Sequence, residues 1–223
     1  MSTRLEGGVA PKTQQIERQT ERPTGNSLPL LLTPGKIVGL EGPAGWGLTR
    51  LGLSLLAAPS QVGTVVAVDV RGWLSPMAAW EEGVLAHRLV LVRCSQRRVW
   101  SQVTAALLEG VAAVYAEVPS GIGEGELRRL AALARARRAG LALRPLRGPL
   151  PAGIIHSRVR ALGVEWQGPE KGHGRLLSRL LTIELAGKSI PPQTLELSDR
   201  FGSLALSPSR EPRVLEAPLT LSG

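Results

Sequence analysis

The feature that most constrains the fold is a glycine-rich turn between a strand pattern and a helix pattern. Residues 37–41 are predicted as a strand, and Leu51, Leu55 and Leu56 recur at helical spacing after the turn. The turn, residues 42–49, has the sequence Gly-Pro-Ala-Gly-Trp-Gly-Leu-Thr. Strands that alternate with helices are typical of α/β folds with a parallel sheet, so an α/β class is expected.

The turn matches a phosphate loop, G-x-x-x-x-G-K-[ST], at every defined position but one. In that motif backbone amides surround phosphate, the lysine reaches the terminal phosphates and the hydroxyl holds Mg²⁺. Gly42, Gly47 and Thr49 keep their positions, but Leu48 replaces the lysine. Leucine cannot neutralise phosphate, and Arg50 is only a partial substitute because neighbouring helical side chains point about 100° apart. We predict a vestigial site with no cofactor beyond weak ATP and Mg²⁺ binding; for these eight residues alone, an ordinary glycine turn is the alternative.

The remaining patterns predict a sheet that changes direction. Further strands are expected over 64–69, 89–92, 112–118 and 141–144, with helices over 99–108 and 124–138. Val99, Val103, Ala106 and Leu107 would form the apolar face of the helix over 99–108. Late strands over 159–166, 176–185 and 194–197 have no helix between them. The prediction is a mixed, mostly parallel sheet flanked by helices, with antiparallel late strands; residues 1–26 and 207–223 are interpreted as flexible ends of a core over 27–206.

Positive charge is concentrated in one segment. The 223 residues carry 27 basic and 18 acidic side chains, and residues 128–179 hold twelve basic residues against only Glu165 and Glu170. Aromatic residues are scarce there apart from Trp166, so electrostatic, sequence-independent contact with single-stranded DNA is predicted. A solvated surface is the alternative. The candidate DNA-binding residues are Arg128, Arg129, Arg135, Arg138, Arg147, Arg158, Arg160 and Arg175.

Other residue types exclude several classes of protein. Cys94 is the only cysteine, which rules out an intrachain disulfide, and no apolar run approaches the roughly 20 residues of a membrane span. With a polar N-terminus, these features predict a cytoplasmic protein with no membrane partner. The three histidines, His87, His156 and His173, are far apart, so neither a metal site nor a catalytic triad is expected. Three tryptophans are predicted to pack in the core: Trp73, Trp80 and Trp100.

Several segments between about residues 35 and 202 resemble the RecA recombinase family. Residues 35–38 lead into Glu41-Gly42-Pro43 as the family's first core strand leads into its phosphate loop, and 68–76 resemble the segment that supplies the water-activating carboxylate. Arg71 stands at that carboxylate's position, and a guanidinium cannot accept a proton at neutral pH. The strand ending near Glu117 resembles the family's Walker B strand, and Lys188 matches a lysine that reaches nucleotide across a filament interface.

The resemblance implies a RecA-like P-loop core without hydrolysis. Small, degenerate proteins of this kind are similar to the ImuA group of mutagenesis accessory proteins. That similarity implies an SOS response role in translesion synthesis, with an ImuB-like adaptor and an error-prone polymerase as partners. Leu215, Leu219 and Leu221 are candidate partner-binding residues, with a disordered end as the alternative. Two other functions stay open: an ATP-dependent recombinase or switch with an unusual P-loop, and a cell-division inhibitor of the same superfamily.

Overall fold

The computed structural model describes residues 32–168, 177–200 and 203–208, with side chains for 32–168 and 177–198. The strands are β1 (Ile37–Glu41), β2 (Val65–Asp69), β3 (Leu89–Arg93), β4 (Ala113–Val118), β5 (Gly140–Pro145), β6 (Ser157–Gln167), β7 (Ser178–Gly187), β8 (Ile190–Arg200) and β9 (Ser203–Pro208). The helices are α1 (Leu48–Ser54), α2 (Ala57–Ser60), α3 (Pro76–Glu81), α4 (Arg97–Leu108) and α5 (Glu124–Arg137).

In the described part of the chain the strands form one sheet in the order β3-β2-β4-β5-β1-β6-β7-β8-β9. All neighbours from β3 to β6 pair parallel, and β6 to β9 pair antiparallel. The predicted mixed sheet with antiparallel late strands is therefore confirmed. Parallel strands buried on both faces need apolar runs, and β1, β2, β4 and β5 are buried along their whole length.

Helices cover both faces of the parallel strands. On one face α1 contributes Leu48 and Leu51 to a core that includes Val38 and Leu40 of β1. On the other face, residues of α4 and α5 pack with Ile37 and neighbouring strand residues. In α5 the residues buried against the sheet are Leu127, Leu130, Ala131 and Ala134.

Two sequence predictions about packing are wrong. The buried side of α4 consists of Trp100, Thr104 and Leu108, whereas Val99 is exposed. Thr104 tolerates burial because its hydroxyl donates a 2.8 Å hydrogen bond to the carbonyl of Trp100. Trp100 packs in the core as predicted. Trp73 and Trp80 are 75% and 46% exposed, because Trp73 lies just before the short surface helix α3 and Trp80 lies on it.

No helix in the described ranges is long and apolar enough to cross a membrane.

Candidate functional site

A pocket of about 280 Å³ opens beside the glycine loop that follows β1. In open α/β sheets this edge, at the carboxyl ends of the parallel strands, is the usual place for a ligand. Three segments form its walls: the glycine loop with α1, the connection from β2 to α3, and the end of β5. The lining residues are Gly45, Gly47, Thr49, Arg50, Leu53, Arg71, Trp73, Leu74, Ser75, Ala78 and Arg144.

The glycine loop keeps its backbone shape but directs residue 48 away from the pocket. Gly45 and Gly47 have φ angles of 83° and 86°, in the left-handed region that favours glycine. Leu48 is fully buried in the core beneath the loop, and a Cβ at Gly42 would lie only 2.9 Å from its Cδ1. Of the predicted vestigial positions, Gly47 and Thr49 line the pocket, whereas Gly42 packs against Ala161 of β6.

Asp69, the last residue of β2, is bound by the chain that follows it. Its carboxylate accepts hydrogen bonds from the backbone N–H groups of Gly72 at 2.7 Å and Leu74 at 3.0 Å. A third N–H, that of Trp73, donates at 3.2 Å. With 1% of its surface exposed, Asp69 holds the connection to α3 in place.

Glu117, near the end of β4, is paired with the arginine that stands at the expected water-activating position. Its side chain is fully buried and accepts hydrogen bonds from the N–H of Val70 and from Arg71 Nε, both at 3.0 Å. Arg71 Nη2 also contacts Glu117. The hydrogen bond to Glu117 raises the pKa of Arg71, so its guanidinium stays charged at neutral pH.

Glu41, at the end of β1, is also engaged. It accepts a hydrogen bond from the N–H of Leu150 at 2.9 Å and forms an ion pair with Arg158 at 3.4 Å. The carboxylates at the ends of β1, β2 and β4 are thus all bound by groups of the chain itself. Mg²⁺ takes carboxylate oxygens as ligands, but none of these three carboxylates lines the pocket. Among the described residues, no group of three His, Cys, Asp or Glu could hold a metal ion.

Arg144 of β5 is the one pocket arginine that is almost fully buried. It is 4% exposed, and neither Nε nor Nη1 has a hydrogen-bond partner within the part of the chain that the structure describes. Burial lowers the pKa of Arg144, but an arginine guanidinium stays protonated at neutral pH. Arg144 belongs to the basic segment over residues 128–179, but no site was predicted for it. Its position near the end of a buried strand could have marked it as a candidate pocket residue.

The other pocket arginines are paired. Arg50, on α1, contacts Glu82 and forms an ion pair with Glu81 at 3.5 Å. Arg179 of β7 lies against the loop from outside the pocket lining, where a Cβ on Gly47 would overlap its guanidinium. The charges of Arg50 and Arg71 are therefore matched locally by carboxylates.

The predicted DNA-binding arginines differ in whether they are paired with a carboxylate or exposed. Several are paired with carboxylates: Arg128 with Glu124, Arg158 with Glu41, and Arg160 with Glu184. Others are exposed without a carboxylate partner among the described residues: Arg129, Arg135, Arg138 and Arg147. Arg175, His173 and the predicted partner-binding residues Leu215, Leu219 and Leu221 lie outside the described residues.

A basic cluster lies at the amino ends of the parallel strands, opposite the pocket, where β1 and β6 begin. Lys36, Arg135 and Lys188 surround His156, whose pKa is lowered first by burial and then by these three charges. The N–H of Lys188 donates to the carbonyl of His156 at 3.0 Å, and Ile37 N–H donates to His156 Nδ1 at 3.1 Å. We call Lys36, Arg135 and Lys188 the amino-edge cluster. Lys36 was missed as a candidate because residues 36, 135 and 188 are brought together only by the fold.

The fold and the pocket define an α/β protein with an arginine-lined pocket beside a glycine loop. A family model described as the MT3502 N-terminal domain matches residues 27–149, more than half of the chain. The chain therefore belongs to the MT3502 N-terminal domain family. The match includes β1 to β5 and every residue that lines the pocket. It names neither a RecA-like nor an ImuA protein, so that resemblance stays a prediction. No curated protein matches the chain.

Proposed function

We propose that the protein is a non-catalytic, RecA-like accessory protein of DNA-damage tolerance, which bridges a polymerase-like partner and DNA. The observation that carries the non-catalytic part is the engagement of Glu41, Asp69 and Glu117 by the chain's own donors. ATP hydrolysis needs a carboxylate for Mg²⁺ and a residue that orients or activates water. No carboxylate lines the pocket, so its lining offers neither group.

The assignment to a RecA-like core has support from the topology. A glycine loop joins the central strand β1 to α1, the neighbouring strands are parallel, and antiparallel strands extend the sheet beyond β6. These features match the resemblance found along the sequence. Arg71, at the position of the family's water-activating carboxylate, holds Glu117 in place, so the same residue removes a base and occupies a carboxylate.

Contact with DNA is supported by the amino-edge cluster and by the exposed arginines of α5. Lys36, Arg135 and Lys188 are all exposed and concentrate positive charge at the end of the sheet away from the pocket. Such a surface attracts the phosphate backbone without reading sequence. The proposed protein partners are an ImuB-like adaptor and an error-prone polymerase.

The testing experiment combines ATP hydrolysis with DNA binding. Turnover of ATP with Mg²⁺ is measured with and without single-stranded DNA, and binding of labelled single-stranded DNA is followed by anisotropy over a range of salt concentrations. The variant Lys36→Gln/Arg135→Gln/Lys188→Gln removes the amino-edge cluster. The matched control Arg88→Gln/Arg93→Gln/Arg98→Gln removes the same charge from exposed residues before, at the end of and after β3.

We expect no turnover, and salt-dependent DNA binding whose log–log slope falls by about 2 in the cluster variant, since each contact with single-stranded DNA contributes about 0.7. The control should keep the wild-type slope. DNA-stimulated hydrolysis would instead support an ATP-dependent recombinase or switch. Absence of DNA binding would remove the bridging role and favour a division-inhibitor function.

A further inference from the structure

The buried guanidinium of Arg144 lacks a direct ion-pair partner among the described residues. A charged group out of water is costly unless it is paired or hydrogen-bonded, and nearly all buried polar groups have a partner. Arg144 is 96% buried, yet its Nε and Nη1 have no partner within the described residues. The nearby carboxylate of Glu117 is hydrogen-bonded to Arg71 instead. These two donors of Arg144 point to a bound acceptor.

The pocket supplies a route to that acceptor. Arg144 lines it together with Thr49, whose hydroxyl adds a further donor, and with Arg71. Arg71 uses Nε and Nη2 toward Glu117, which neutralises its charge. Arg144 is therefore the pocket-lining arginine without a direct ion-pair partner among the described residues, and a bound anion would supply one.

Pocket size and chemistry limit the class of anion. At about 280 Å³ the pocket lies near the lower end of small-molecule sites, which run from about 300 to 1,000 Å³. That volume suits a phosphate or diphosphate group better than a whole nucleotide. Guanidinium groups bind phosphate oxygens through paired N–H donors. Because no carboxylate lines the pocket, an anion here would bind without a bridging metal ion.

We propose that this pocket is a metal-independent binding site for a phosphate-type oxyanion, with Arg144 as its charged ligand and Thr49 as a hydroxyl donor. The site is independent of the proposed role in DNA-damage tolerance. It uses Arg144 in place of the lysine that Leu48 replaces.

The test is direct titration of the full-length protein with sodium phosphate, pyrophosphate, AMP and ATP in EDTA at constant ionic strength, followed by calorimetry and thermal shift. We expect saturable binding of phosphate and pyrophosphate. Tighter binding of AMP and ATP than of the free anions would identify a nucleotide's phosphate as the source. Equal or weaker binding would identify a free phosphate.

Two variants and one control decide the role of Arg144. Arg144→Met should weaken binding about 10- to 100-fold, the equivalent of one charged hydrogen-bonding partner. Arg144→Lys keeps the charge but loses the paired donors, so its affinity should lie between those of the wild type and Arg144→Met. The control Arg88→Met, at the amino end of β3 away from the pocket, should bind like the wild type.

A stability measurement keeps the proposal falsifiable if binding proves hard to detect. In buffer without oxyanions, Arg144→Met should melt at or above the wild-type temperature, since it removes an unpaired buried charge. Added phosphate should raise the melting temperature of the wild type alone. Two results would overturn the proposal: no saturable oxyanion binding by the wild type, or equal affinities in the wild type and Arg144→Met.

Discussion

Placing a lysine at position 48, as the phosphate-loop motif requires, should destabilise the fold rather than create a nucleotide site. Leu48 is fully buried in the core beneath the loop, so Leu48→Lys places an amine among apolar side chains. The methylenes of lysine replace much of the lost leucine surface, and the cost is set mainly by the amine. A lysine in such a place is driven to its neutral form.

The magnitude follows from the lysine pKa. Its usual value is about 10.4, and each unit separating it from the solution pH costs about 1.4 kcal/mol when the amine must stay neutral. Leu48→Lys should therefore lose about 5 kcal/mol of unfolding free energy at pH 7, and about 2 kcal/mol at pH 9. The folded variant binds fewer protons than its unfolded chain, so its stability rises with pH relative to the wild type. A typical domain stability of about 5–15 kcal/mol leaves that loss measurable.

The assay is guanidinium denaturation followed by tryptophan fluorescence at both pH values, together with ATP binding in Mg²⁺. Leu48→Met, which keeps the volume and the apolar character, is the control and should cost less than about 1.5 kcal/mol. The reasoning fails if Leu48→Lys is as stable as Leu48→Met at pH 7 and binds ATP. In that case the side chain at position 48 reaches the pocket.

Three further outcomes are expected. Burial and nearby cations lower the pKa of His156, so its neutral form stabilises the fold and the wild type should lose more stability than His156→Asn as the pH falls from 7 to 5 in chemical denaturation. Arg71→Ala leaves the buried Glu117 without its ion-pair partner, which should cost about 3–5 kcal/mol. The double variant Arg71→Met/Glu117→Leu should recover most of that stability in thermal melting. Gly52→Ala would place a Cβ 2.6 Å from Cδ2 of Tyr115 and closer still to Cε2, and the overpacking should cost about 1–3 kcal/mol in the same melts.

The elements that could be predicted from sequence are those whose pattern is determined locally. The continuous apolar runs of β2 and β4 specify buried parallel strands, and the amphipathic spacing of α5 specifies its buried face. Helix α3 was missed because six residues are too few to show a period. The face of α4 was wrong because a threonine occupies a core position, which hydrophobicity alone does not predict.

The site was only partly predictable for a different reason. The glycine loop is a local motif, so Gly47 and Thr49 could be placed at a candidate site before the fold was known. Whether an arginine is solvated, paired or buried depends on residues far away in sequence. Three arginines of the same basic segment illustrate this. Arg158 is paired with Glu41 and Arg129 is exposed, whereas Arg144 is buried with its Nε and Nη1 unpartnered among the described residues.

The conformation of the glycine loop does not by itself require a nucleotide or hydrolysis. The left-handed turns at Gly45 and Gly47 are stabilised by contacts within the chain, since Leu48 is packed into the core and Arg179 lies against Gly47. The loop therefore needs no nucleotide to keep its shape. Hydrolysis depends instead on side chains that are free to bind a metal ion and water, and here Asp69 and Glu117 are bound by the chain. For a chain of this kind the partners of the pocket side chains, more than the motif itself, decide between an ATPase and a binding protein.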